Sequence, residues 1–83
     1  MSKKEWTGKV SELIANDLRS GVRGITYSKE EKNGWLREIV RIYYNGGHTD
    51  INVTGNSLGS ILHEIVREVY GDGAFGRITE EWW

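Results

Sequence analysis

Cysteine and proline are both missing from this 83-residue chain, and methionine and phenylalanine occur once each. Without thiols there is neither a disulfide staple nor a thiolate zinc site, and a reducing cytosol is the simplest compartment to expect. Long apolar runs are also missing. The opening MSKKEWTGK has lysines but no hydrophobic stretch behind them, so no signal peptide and no membrane-spanning helix is expected, and the localisation that follows is cytoplasmic. An excess of one charge is the last absence. Eleven Lys and Arg stand against 12 Asp and Glu, for a net charge of -1, which argues against a dedicated nucleic-acid binder because phosphate neutralisation needs clustered cations.

The charge is unevenly distributed along the chain. Residues 1–41 hold nine Lys and Arg against six Asp and Glu, whereas residues 42–83 hold two against six. With no repeat and no low-complexity tract, residues 1–83 read as one small domain that buries roughly 60–65% of its unfolded surface, so stability rests on a few large side chains.

Periodicity then supplies an order of elements. Trp6, Val10, Leu13, Ile14 and Leu18 form the stripe of an amphipathic helix over about 3–20; Ser2 with Glu5 offers a capping box, and Gly21 a left-handed C-cap. Gly8 weakens the first turn, which makes Thr7 an alternative start. Strands are expected at about 24–29, 35–44 and 48–54. A two-residue Asn33-Gly34 turn pairs Glu30 with Arg37, Lys29 with Glu38, Tyr27 with Val40 and Ile25 with Ile42, joining opposite charges and apolar side chains in one register. A Gly46-Gly47 loop pairs Ile42 with Ile51 and Val40 with Val53, and an Asn45-Gly46 loop keeps the same faces in phase. The inner face is then Ile25, Tyr27, Val40, Ile42, Tyr44, Ile51 and Val53. A second helix, about 57–70, carries Leu58, Ile61, Leu62, Ile65, Val66, Val69 and Tyr70 at helical spacing. The expected fold is α+β, a helix, a three-stranded antiparallel meander and a helix (αβββα), with the two helices on one face. The tail, 71–83, is glycine-rich yet holds Phe75, Ile78, Trp82 and Trp83, so it should dock as a short third helix from Thr79 or as a strap.

Catalytic and metal chemistry find little support. His48 and Asp50 share a strand face and His63-Glu64 lies on a helix, but no third ligand sits at telling spacing, so no metal is expected. Ser, His and Asp occur without a recognisable elbow. GDGAFG and GNSLG lack the strand-to-helix context and the Lys of a phosphate loop, so no cofactor is expected either. The chain reads as no enzyme. What remains is the outer sheet face, where Trp35, Arg37, Ile39, Arg41 and Tyr43 follow one another on the second strand, with His48, Asp50 and Asn52 beside them. Arg and aromatic residues are enriched in binding hot spots. Three uses of the row are open: a cover for the tail, a docking face for a partner, or a homodimer seam.

Two resemblances bear on that choice. The order of elements resembles that of the double-stranded-RNA-binding domain, although GNSLGSILHE offers no Lys or Arg where that family carries a basic cluster at the start of its second helix. REIVRIYYNGGHTDINV, followed by a capped amphipathic helix and an aromatic tail, is similar to small helix-meander-helix accessory proteins of phages of Gram-positive bacteria, some of them anti-CRISPR proteins that occlude a nuclease. That resemblance covers about residues 10–70. It implies a phage or mobile-element protein that inhibits or regulates a host protein, a host nuclease complex being one candidate, through the Arg and aromatic row or through the acidic second half with Asp50, Glu64, Glu68, Asp72, Glu80 and Glu81. The expectation is therefore a non-enzymatic, macromolecule-binding inhibitor, monomeric or homodimeric, with a protein partner. A nucleic-acid-binding module is the alternative.

Overall fold

A computed structural model describes residues 2–71. The expectations for the tail, including the helix from Thr79, the strap and the cover over the outer face, lie outside the described residues.

Helix α1 spans Lys3–Ala15. Ser2 caps it, its Oγ accepting the Glu5 N–H at 3.1 Å and donating to the Glu5 carboxylate at 3.2 Å, as the capping spacing predicts. The helix does not continue to Ser20. Asp17 opens a single 3₁₀ turn, Leu18–Ser20, by accepting the Arg19 N–H at 3.1 Å, and the Ser20 hydroxyl donates toward the carbonyls of Ile14 at 2.7 Å and Asp17 at 2.8 Å. Short polar side chains compete here for the backbone groups that a longer helix would use. Gly21 follows at φ +70°, the left-handed position that the sequence assigns to it. In consequence the expected stripe splits. Val10 and Ile14 are buried and Trp6 packs against the core, but Leu13 is 41% exposed and Leu18 is 93% exposed.

Strand β1 covers Val22–Lys32, β2 Trp35–Tyr44 and β3 Gly47–Asn52, in the sheet order β1-β2-β3 with both pairs antiparallel. The first hairpin has the register the sequence predicts, Ile25 with Ile42 through Glu30 with Arg37, and its turn residues Asn33 and Gly34 both sit at positive φ, 52° and 78°. Strand β1 is longer than 24–29 and has an irregularity between Val22 and Gly24. The second hairpin uses the Asn45-Gly46 loop, with only Gly46 at positive φ. Val40 therefore faces Ile51, and Ile42 faces Thr49 rather than Ile51. The slip is two residues, so every side chain keeps its expected face.

Helix α2, Leu58–Tyr70, starts behind Ser57, whose Oγ accepts the Ser60 N–H at 3.2 Å. Its Ile61, Leu62, Ile65 and Val66 join Val10 and Ile14 of α1 and Val22, Ile25, Val40, Ile42 and Val53 in one buried cluster on the inner sheet face. At about 1.5–3 kcal/mol per large side chain, this cluster is the main source of stability. The helices are tied at one end, where the Tyr70 hydroxyl donates to the Asp17 carboxylate at 2.6 Å. No helix among the described residues is long and apolar enough to cross a membrane.

The split stripe has a measurable consequence. Ile14→Ala should cost about 2–5 kcal/mol in urea denaturation, whereas Leu18→Ala should stay within about 0.5 kcal/mol of the parent. Equal losses at the two positions would restore the continuous helix to Ser20. Thr7 gives a second check, since its hydroxyl is buried with no hydrogen-bond partner among the described residues. Thr7→Val keeps shape and branching and should leave stability unchanged or raise it by about 1 kcal/mol.

Candidate functional site

The outer face of the sheet is uncovered by either helix among the described residues, and the predicted row lies along its central strand. Thr26, Ser28 and Glu30 of β1, Arg37, Ile39, Arg41 and Tyr43 of β2, and Asp50 of β3 line a groove of about 380 Å³. Five of the eight residues singled out from the sequence, Arg37, Ile39, Arg41, Tyr43 and Asp50, are thus brought together. The other three are placed differently. Trp35 sits at the hairpin tip opposite Lys32 and is 50% exposed, so it flanks the groove without lining it. His48 is on the β3 edge with its ring 6.0 Å from that of Tyr43, at an interplanar angle of 52°. Asn52 is occupied locally, its Oδ1 accepting from the Thr54 N–H at 3.0 Å and the Thr54 hydroxyl at 2.7 Å.

The two arginines of the groove differ in state. Arg41 makes a fork to its cross-strand neighbour Asp50, Nε at 2.7 Å and Nη2 at 3.0 Å, which fixes the guanidinium plane against the sheet. Hydrogen bonding within the fork holds the Asp50 carboxyl below its ordinary range and pushes the Arg41 guanidinium further up. Arg37 has no ion pair among the described residues, even though Glu30 is its register partner. The groove therefore offers one held cation, a second without an ion pair among the described residues whose charge still acts on Asp50, and two carboxylates around a half-buried isoleucine. His48 and Asp50 find no third ligand, because among the described residues no three His, Asp or Glu side chains converge on one point.

Sequence reasoning missed the most heavily engaged acid among the described residues, Glu38. Glu38 lies in phase with Val40 and Ile42 on the inner face of β2 and is 3% exposed. The expected cross-strand pairing with Lys29 holds in register, but the ion pairs do not follow it: Lys29 reaches Glu31 at 3.2 Å, and the Lys3 ammonium from α1 reaches the Glu38 carboxylate at 2.8 Å. The Tyr27 hydroxyl donates to the same oxygen, and the Gly55 N–H donates to the other at 3.0 Å. The Glu38 backbone is held as well, its N–H by the Thr54 hydroxyl at 3.0 Å and its carbonyl by the Val53 N–H at 2.9 Å. The signal was available: a carboxylate alternating with core residues needs a buried partner, and Tyr27 beside it in the same inner row is one.

No protein-family model, no curated protein and no solved structure matches the chain, so its function has to be read from its own residues.

The Glu38 cluster predicts acid sensitivity. Hydrogen bonds from Lys3, Tyr27 and Gly55 lower its carboxyl from an ordinary 4.5 to about 2, and bonds from Arg19 and Tyr70 lower Asp17 from 3.8 to about 2. For acids depressed in the folded state, the stabilisation is complete above pH 4.5 and disappears as pH falls toward 2. Urea midpoints taken between pH 7 and pH 2 should be flat down to about pH 5 and then fall. In Glu38→Gln, the neutral-pH midpoint should be lower and the acid decline shallower. A Glu38→Gln profile parallel to that of the parent would contradict the role given to this carboxylate.

Proposed function

We propose that this chain is a non-catalytic binding protein that captures a partner protein on the outer face of its sheet and thereby inhibits or regulates it, as a phage or mobile-element product acting on a host protein. The observation that carries the reading is the groove around Ile39, where Arg37 makes no ion pair among the described residues and Arg41 is pre-set by Asp50. Two arginines, one of them held by a carboxylate, beside an aromatic ring have the composition of an interface centre, and a guanidinium already fixed in plane loses less freedom when a partner binds.

Charge in the groove supports a protein over a nucleic acid. Glu30 and Asp50 flank Arg37 and Arg41, so the groove is neutral overall, whereas a polyphosphate backbone favours an unbroken cationic track. A folded partner that presents a carboxylate to Arg37 and a donor to Glu30 meets both signs. The similarity to phage accessory inhibitors supports the inhibitory outcome and keeps a host nuclease complex among the candidate targets. The double-stranded-RNA-binding order of elements supports nucleic acid as a second reading, with a distinct signature of steep loss of affinity with salt.

Capture from a Gram-positive bacterial lysate, nuclease-treated and analysed by mass spectrometry, tests the reading. A protein held by the parent should be bound at least tenfold more weakly by Arg37→Glu, a loss of about 1.4 kcal/mol or more, with the circular dichroism of the variant unchanged. Capture that is indifferent to Arg37→Glu removes the assignment to this face. Bound material that disappears with nuclease and with salt transfers it to nucleic acid.

A further inference from the structure

The ladder pattern of the first hairpin shows which backbone groups the sheet leaves over. Around the two-residue Asn33-Gly34 turn, Lys32 and Trp35 are the closing hydrogen-bonded pair, so even-numbered residues of β1 bond to β2 and odd-numbered ones point to the open edge. Ile25, the first of these, donates its N–H to the Ser11 hydroxyl of α1 at 2.8 Å. Further along, Tyr27, Lys29 and Glu31 meet no backbone partner on that side among the described residues. Every residue from Ser28 to Arg37 is exposed, although Lys29 lines a cavity with Ser2, Lys3 and Lys4 at the start of α1.

An edge of this kind is commonly blunted by charge, and Lys29-Glu30-Glu31-Lys32 does so against unrelated strands. A second copy of the same edge is a special case, because Lys29 and Glu31 are opposite in sign and two residues apart, so an antiparallel copy can set each against the other. A twofold axis through Glu30 sets Lys29 opposite Glu31 of the second copy, and Glu31 opposite its Lys29, both at hydrogen-bonded positions. An axis through Lys29 would set Lys29 on Lys29 with no opposite charges face to face, and one through Glu31 would run into the Asn33-Gly34 turn after a single hydrogen-bonded pair, whereas the Glu30 axis keeps two. In the Glu30-centred register the two Glu30 side chains meet on the outer face. Each then lies diagonal to Lys32 of the other copy and beside its own register partner Arg37, and neither cation has an ion pair in the single chain among the described residues.

We propose that the chain self-associates through the β1 edge, copy against copy about Glu30, to give one six-stranded antiparallel sheet with both outer grooves on the same face. The interface is distinct from the groove, and its test does not depend on the partner reading. The contact is short and polar, which makes it a concentration-dependent dimer rather than an obligate one.

The absence of cysteine makes the register directly addressable. Across a twofold axis, residue 30 faces itself as a non-hydrogen-bonded pair, with Cα atoms about 4.5 Å apart, inside the range a disulfide spans. Under mild oxidation Glu30→Cys should become a covalent dimer, while Lys32→Cys, which faces Ser28 of the second copy, should remain largely monomeric. Sedimentation of the cysteine-free chain supplies the second measurement. Lys29→Glu should weaken the dimer about tenfold or more, and Lys29→Glu with Glu31→Lys should restore it to within about threefold of the parent. A parent that stays at its 9.5 kDa monomer mass at every concentration, equal cross-linking at positions 30 and 32, or a double variant no better than the single one would each overturn the proposal.

Discussion

Glu38 holds four parts of the molecule at one point. Its carboxylate takes Lys3 from the first turn of α1, Tyr27 from β1 and the Gly55 N–H from the connection into α2, while its own backbone closes on Val53 and Thr54 as β3 ends. A carboxylate at 3% exposure is costly unless its oxygens are filled, and here each oxygen has a donor. The cluster fixes where α1 begins relative to β2 and where the chain leaves the sheet for α2. It thereby commits the inner face to the core, with both helices over it.

That commitment leaves the other side of the same strand free. Strand β2 alternates Glu38, Val40 and Ile42 on the inner face with Arg37, Ile39, Arg41 and Tyr43 on the outer one, so burial of the even residues orients the odd ones without further design. Asp50 adds order by holding the plane of Arg41 from β3. The longer first hairpin extends beyond the reach of β3, whose last ladder partner is Ile39, and this leaves Trp35, Leu36 and Arg37 on an exposed arm. A packed lower layer and a presented upper row are what the proposed binding function rests on.

Much of this is legible in the residues because the local and the long-range signals agree. The turn at Asn33-Gly34 needs two positive φ values and has the two residue types that accept them, and the same register pairs apolar with apolar side chains, so each signal supports the other. The capping of α1 by Ser2 and the stripe of α2 follow for similar reasons. The end of α1 is less legible, because the apolar spacing of Leu13 and Leu18 continues past a break that only the hydrogen bonds of Asp17 and Ser20 enforce. Glu38 was hidden by a satisfactory local explanation: a lysine directly across the hairpin sufficed as its partner until α1 supplied another from 35 residues away. Of the site, the Arg37, Ile39, Arg41, Tyr43 and Asp50 cluster could be read from strand parity alone. The engagement of the Asn52 side chain could not, since it depends on Thr54 two residues on.

The claim that one sheet face is core and the other is for a partner is tested most directly by hydroxyl-radical footprinting of the chain, free and in the complex it forms in a Gram-positive lysate. The account predicts that Ile39 and Tyr43 lose reactivity in the complex while exposed Leu13 on α1 and His63 on α2 keep theirs. Protection of the helical residues with Ile39 and Tyr43 unchanged would place the partner on the opposite side of the molecule and contradict it.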